Sequence, residues 1–216
     1  MRIRINRVHY PVVVLGYGRR AGLWVQGCGI GCEGCVSRDT WDADPATEVE
    51  VAAVIDWCAS LPGDVDGVTI SGGEPFDQPE ALMALLDGLH AWRADRDRPI
   101  DLLAYSGRSM AALRARFGDH LARLDAVIPG PFVAAQAPGN RWRGSANQEL
   151  IPLTPLGHQR YDDDIDRPPG RTRIQLGTDG DRVYQIGIPS PGDLAAMEAA
   201  LARRGLGYEE ASWRSR

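Results

Sequence analysis

Three cysteines fall within eight residues, spaced Cys28-x3-Cys32-x2-Cys35. Thiolates are soft metal ligands, and three from one loop suit three irons of a 4Fe–4S cube whose fourth iron stays open to another ligand. The same residues would also suit zinc, although structural zinc commonly takes four ligands in two separated pairs and no second pair is present. A reactive or merely structural thiol set is the remaining reading. Gly27, Gly29, Gly31 and Gly34 let the backbone wrap tightly and leave amides for cluster sulfurs. The fourth cysteine, Cys58, falls on the apolar face of a predicted helix and reads as a small core hydrophobe. One strand–helix unit further on stands Ser71-Gly72-Gly73-Glu74-Pro75. Gly72 and Gly73 would let a small polar ligand approach the backbone closely, and Glu74 supplies an acceptor suited to an ammonium group. Alone, such a turn is a weak signal; paired with the cysteine loop it is strong.

The elements that must position these residues follow from periodicity. Arg2 to Val8 and Pro11 to Leu15 read as extended, Leu23 to Gln26 as the strand that feeds the cysteine loop. Thr47 and Glu50 have the spacing of a capping box, with Val51, Val54, Ile55 and Cys58 on one helical face behind it. Gly67 to Ile70 is a strand ending at the Gly-Gly-Glu-Pro turn, where α/β sheets place ligands. Leu82, Leu85, Leu86, Leu89 and Trp92 mark an amphipathic helix. Asp101 to Tyr105 is a strand, Ser109 to Phe117 a helix, Ala126 to Ile128 and Glu149 to Leu153 further strands. This alternation predicts an α/β fold on a parallel sheet, curled as a partial, open barrel. Residues 1–156 form the expected core domain, and the acidic, Pro-rich residues 157–171 a linker or loop. Residues 172–216 are expected as a small β-β-α appendage, with Gly177-Thr178-Asp179-Gly180 as its hairpin turn. Its helix begins at Ser190-Pro191 and stops at Gly205.

Composition narrows the chemistry. The chain has 216 residues, 44% hydrophobic and 25% charged, with a formal net charge of −5. All basic residues are arginine, which excludes Schiff-base lysine chemistry and a P-loop lysine. No apolar run reaches the roughly 18 residues of a membrane span, and the Met1–Tyr10 start does not read as a secretory signal. Clustered thiols without such a signal point to a reducing compartment, the cytoplasm. Mild acidity argues against nucleic acid as a partner. Arg141-Trp142-Arg143 reads either as a patch for a carboxylate or nucleic acid, or as a loop ordered by Trp packing. Asn147 and Gln148 either hydrogen-bond a ribose or fix that loop. His9, His90, His120 and His158 are scattered, at no ligand spacing.

The cysteine loop followed by Gly-Gly-Glu-Pro resembles the radical S-adenosylmethionine superfamily. Within it, Gln26 to Trp41, with its Cys-x-Gly-Cys ending and Thr40-Trp41 pair, is similar to the cluster loop of activating proteins for anaerobic ribonucleotide reductase. Gly130-Pro131-Phe132 and Arg143 to Gln148 resemble a later signature of that family, and Tyr105-Ser106-Gly107 its Thr-Gly segment near the cofactor. The likeness covers residues 10 to 153. It implies one 4Fe–4S cluster on Cys28, Cys32 and Cys35. It further implies S-adenosyl-L-methionine held by Gly72, Gly73 and Glu74, with Ser106 and Asn147 near it. The expected reaction is reductive cleavage to a 5′-deoxyadenosyl radical that takes hydrogen from a glycine of a glycyl-radical partner, with flavodoxin or ferredoxin as reductant. The competing expectations are a free-standing radical enzyme acting on a peptide or metabolite, and a non-catalytic electron carrier or zinc module.

Overall fold

Alternation along one short segment locates the centre of the fold. In Asp101–Ser106, Leu102 and Ala104 pack into one core and Leu103 and Tyr105 into another on the opposite face. A strand apolar on both faces belongs inside a covered sheet. The computed structural model describes residues 1–170, 174–179 and 182–207. Its strands are β1 (Arg2–Val12), β2 (Arg20–Val25), β3 (Glu48–Glu50), β4 (Gly67–Gly72), β5 (Asp101–Ser106), β6 (Ala126–Pro129), β7 (Ile151–Pro152), β8 (Ile174–Asp179) and β9 (Arg182–Gly187). The helices are α1 (Val51–Ser60), α2 (Pro79–Ala94), α3 (Met110–Arg116), α4 (Gly118–Leu121), α5 (Pro155–Tyr161) and α6 (Asp193–Ala202).

Seven strands form one sheet in the order β3-β1-β2-β4-β5-β6-β7. β2, β4, β5 and β6 run parallel, whereas β1, β3 and β7 pair antiparallel to their neighbours. The molecule is therefore mixed α/β, and the expectation of a wholly parallel sheet is corrected at both edges. β1 returns to β2 through residues 13–19 alone, too short for the crossover a parallel pair needs. On one face Leu23, Ile70, Leu102 and Ala104 meet Val54 and Cys58 of α1 and Leu82, Leu85 and Leu89 of α2. On the other, Leu103, Ala126 and Ile128 meet Trp142 and Tyr161, while Val12, Val14 and Leu15 meet Ile186 of β9.

Several local expectations change. The capping box is absent: Glu48 to Glu50 pair as β3 with Arg2 to Arg4, and Thr47 Oγ1 donates to Asp44 O at 2.7 Å. Val51 N donates instead to Met1 O at 2.9 Å, so strand pairing satisfies the helix start that a cap was expected to hold. Residues 157–171 read as a linker or loop, yet α5 occupies Pro155–Tyr161, and Tyr161 is fully buried with its hydroxyl on Asp101 Oδ2 at 2.6 Å. Thr154 caps α5 by accepting from Gly157 N at 3.1 Å, with Pro155 at the first helical position. The aspartate run suggests solvent, but Asp164 is buried and paired with Arg141 and Arg167 at 2.9 and 3.0 Å. In the hairpin, Gly177, Thr178 and Asp179 belong to β8 and pair with Tyr184, Val183 and Arg182, so these three stand in the strand rather than in the turn. Gly180, expected in that turn, and the expected strand start at Thr172 lie outside the described residues. Among the described residues no helix is long and apolar enough to cross a membrane.

Candidate functional site

The carboxyl ends of β2, β4, β5 and β6 lie side by side, and each runs into a loop carrying one of the motifs. Such an edge is where parallel strands deliver side chains and free backbone groups to a common site. After β2 the chain makes the cysteine loop and closes it at the base. Gly27 N donates to Thr40 O at 2.8 Å and Cys28 N to Trp41 O at 2.9 Å. The Gln26 amide braces the return segment by donating to Asp39 O and Asp42 O at 3.1 and 2.6 Å. Gly31 and Gly34 turn the loop with φ of 62° and 74°, left-handed values that L side chains rarely adopt.

Cys28, Cys32 and Cys35 are free thiols and half-buried. Burial pushes the Cys35 thiol up, and negative charge on Cys32 and Cys28 pushes the same way, so the three sulfurs share one electrostatic neighbourhood. Among the described residues the sulfurs are not drawn together to ligating distances. The donor set nonetheless fits an iron–sulfur cluster. The indole N–H of Trp41 is buried without a hydrogen-bond partner of ordinary geometry, and it lies against Cys35, where it favours a charged sulfur. A buried donor against the Cys35 sulfur is what a sulfur-rich anionic group would satisfy. Cys28, Cys32 and Cys35 are the residues that would hold it. Cys58 is fully buried in the helix-side core, and desolvation pushes its thiol up to about 12, as an inert core cysteine requires.

The Gly-Gly-Glu-Pro turn packs directly on this loop. Gly73 N donates to Val25 O at 2.8 Å and Glu74 N to Gly27 O at 2.9 Å. A Cβ on Gly73 would stand 2.1 Å from Gly27 O, and one on Gly72 (φ 98°) 2.6 Å from Val25 N. The close approach that the two glycines permit is thus to the backbone of β2 and the cysteine loop. Glu74 is 1% exposed. Its carboxylate accepts from Ser106 Oγ at 2.9 Å, Gly107 N at 2.8 Å and Phe76 N at 3.1 Å. Burial pushes its pKa up, against the lowering effect of these donors. The side chain expected to meet an ammonium group is therefore occupied by protein donors and ties the β4 turn to the β5 end. Ser106 is buried in the same clamp.

Other singled-out residues settle between their readings. Asn147 Nδ2 donates to Pro131 O at 2.8 Å, and Gln148 donates to Gly130 O at 2.9 Å while accepting from Gly144 N at 2.8 Å. Both fix the loop after β6. Trp142 is buried against Tyr161, ring centroids 5.6 Å apart, and its carbonyl accepts from Tyr105 Oη at 2.8 Å. Arg141 pairs with Asp164 and Arg143 donates to Ile165 O, so this stretch is a loop ordered by Trp packing. Two residues at the site escaped sequence reading. Asp77 accepts from Gly29 N at 2.8 Å, and Arg108 pairs with Asp77. Neither residue type nor spacing marks them; only the meeting of three loops does.

The family model described as a 4Fe-4S single cluster domain matches residues 14–151. An anaerobic ribonucleoside-triphosphate reductase-activating protein of Vibrio cholerae is 32% identical over 152 residues, covering 68% of this chain and 96% of the relative. The proteins of the same name from Haemophilus influenzae and Escherichia coli K12 are 32% and 29% identical, covering 65% of this chain and 92% and 93% of theirs. The matched span holds the cysteine loop, the turn it seats and the loops after β5 and β6, and β8, β9 and α6 lie beyond the family match. This chain belongs to the 4Fe–4S single-cluster family of anaerobic ribonucleoside-triphosphate reductase-activating proteins.

Proposed function

We propose that this chain is a radical S-adenosylmethionine enzyme that generates a glycyl radical on an anaerobic ribonucleotide reductase. The observation that carries this reading is the seating of the Gly72–Glu74 turn on the end of β2 and the cysteine loop, with Gly73 N on Val25 O and Glu74 N on Gly27 O. A cluster loop and a ligand-binding turn held as one unit would let electron delivery and cofactor binding share one geometry. Cys28, Cys32 and Cys35 would hold the cluster, leaving one iron open. Residues 72–74 would offer backbone groups to the methionine end, with the Glu74 side chain bracing the turn against Ser106, while Asn147 keeps the β6 loop alongside. Bound there, the cluster and S-adenosylmethionine supply one-electron cleavage to methionine and a 5′-deoxyadenosyl radical, which takes a hydrogen atom from glycine.

The protein's own share is binding, orientation and exclusion of water. In this reading the sheet curls as a partial barrel whose open face a partner loop closes. Residues 1–156, together with the packed α5 that follows, are the working core, and 172–216 are an appendage outside the chemistry. A flavodoxin or ferredoxin would supply the electron, and the free thiols suit the reducing cytoplasm.

The test is transfer to a partner. The reconstituted, reduced chain is mixed anaerobically with S-adenosylmethionine and an anaerobic ribonucleotide reductase, and the mixture is followed by electron paramagnetic resonance. A glycyl-radical doublet that disappears when Cys32→Ala replaces the wild-type chain is the expected result. No doublet from a chain carrying about four irons would overturn the assignment of partner.

A further inference from the structure

Resting on the reading of the three cysteines as cluster ligands, we infer that Asp77 is a positioning residue that locks the cysteine loop to the ends of β4 and β5. The base of the loop is closed by Gly27 and Cys28, each bonded to the return segment at Thr40 and Trp41. Gly29 is the next amide, it lies within the cysteine span, and its N–H donates to Asp77 Oδ2 at 2.8 Å. Asp77 closes the turn that begins at Glu74, with Asp77 N donating to Glu74 O at 3.0 Å. Its other oxygen takes the Arg108 guanidinium.

Arg108 is itself fixed from both sides. Its N–H donates to Ser106 Oγ at 3.0 Å, and its carbonyl accepts from Gly130 N at 2.9 Å. One carboxylate thus joins the loops after β2, β4 and β5, and through Arg108 the loop after β6. A Cβ on Gly29 would stand 3.2 Å from Asp77 Oδ2, close enough that the carboxylate would have to give by a few tenths of an ångström.

The same carboxylate carries charge. A cluster gains negative charge on reduction, so a fixed anion beside its loop holds the potential down, and the Arg108 counter-ion limits that effect. Asp77→Asn keeps one oxygen for Gly29 N, turns an amide N–H2 to Arg108 in place of the second oxygen, and removes the charge. Asp77→Ala removes the Gly29 acceptor as well, so the comparison separates that bond from the charge.

The experiment uses the full chain in two forms. In the metal-free form, amide exchange by mass spectrometry over residues 27–36 reads the lock without any cluster. Asp77→Ala should exchange about tenfold faster there, the loss expected for one hydrogen bond, while Asp77→Asn stays near wild type. In the reconstituted form, a potentiometric titration followed by paramagnetic resonance reads the charge. At the potential where the wild-type cluster is half reduced, the reduced-to-oxidised ratio of Asp77→Asn should rise about threefold or more. Unchanged exchange in Asp77→Ala, or an unchanged ratio in Asp77→Asn, overturns the inference. A wild-type chain that takes up no cluster would overturn the ligand reading instead, and the metal-free exchange would still decide whether Asp77 holds the loop. If Asp77→Ala does not fold, the Asp77→Asn titration decides alone.

Discussion

Gly73 and Glu74 sit next to each other and face opposite demands. A methyl group at 73 would meet the backbone oxygen of Gly27 at 2.1 Å, and neither backbone can yield without breaking the bonds that seat the loop. Gly73→Ala should therefore cost about 1–3 kcal/mol, as overpacking does, and lower the iron bound after reconstitution. Chemical denaturation and iron analysis read the two effects separately. At 74 the demand is for acceptors. Glu74→Ala strands the buried Ser106 hydroxyl and Phe76 N–H and the part-buried Gly107 N–H, a loss of about 1–3 kcal/mol. Glu74→Gln keeps one acceptor and carries no buried charge, so its loss at neutral pH should be less than half that of the alanine variant. Equal losses would contradict the clamp. The cysteine spacing and the glycine pair were legible because both stand out in residue type, and the glycines serve a close approach of backbone to backbone. The inward direction of Glu74 was not, since a carboxylate on a turn looks the same in sequence whether it faces a ligand or Ser106. Asp77 and Arg108 left no trace because their meaning arises only where three loops meet.

At the scale of elements, α2 and the strands β4, β5 and β6 could be read from apolar periodicity, because each buries a regular set of residues. The errors lie where tertiary pairing overrode a local signal. Thr47 to Glu50 has the letters of a capping box, but the strand Arg2–Val12 claims Glu48 to Glu50 as an edge partner and sends Val51 N to Met1 O. Residues 157–164 have the letters of a loop, yet the start signal Thr154-Pro155 precedes them and Tyr161 reaches the core. Thr154 serves twice, accepting from Gly157 N and donating to Asp125 Oδ1 at 2.6 Å. Thr154→Ala should cost about 0.5–2 kcal/mol, the range for a lost cap, and raise exchange in α5 more than in α2. A uniform change across both helices would argue that α5 is not an independently capped element.

For the whole molecule, the site at one edge of the parallel strands is balanced by a buried ionic network at the other. Arg20, at the start of β2, is fully buried and bonds Asp101 at 2.9 and 2.8 Å, Thr69 Oγ1 at 2.6 Å and Val68 O at 2.7 Å. Arg160 Nη1 and Tyr161 Oη of α5 reach the same Asp101 at 2.8 and 2.6 Å, which welds α5 to the sheet. Burial opposes the charge on Asp101, yet Arg20 beside it, with Tyr161 and Arg160, holds its carboxyl below the usual range. A folded value below the unfolded one, about 3.9, means that the native state binds this proton less readily. Its contribution is present above about pH 4 and is lost as pH falls through the depressed folded value. Asp101→Asn leaves Arg20 buried against a neutral partner and should cost about 3–5 kcal/mol at pH 7. Its deficit against wild type should shrink steadily in denaturation curves taken toward pH 2. A deficit independent of pH would show that packing, not charge, explains the loss. That network holds the sheet; in the proposed function the cysteine loop and its seated turn hold the chemistry.

The most direct measurement of that chemistry is made anaerobically on the chain reconstituted with iron and sulfide, reduced with dithionite and given S-adenosylmethionine. Formation of 5′-deoxyadenosine by the wild-type chain, abolished by Cys32→Ala, is the result this account predicts. A chain with a full cluster that neither binds S-adenosylmethionine nor forms 5′-deoxyadenosine, with the ribonucleotide reductase partner present, would contradict it and leave an electron carrier in its place.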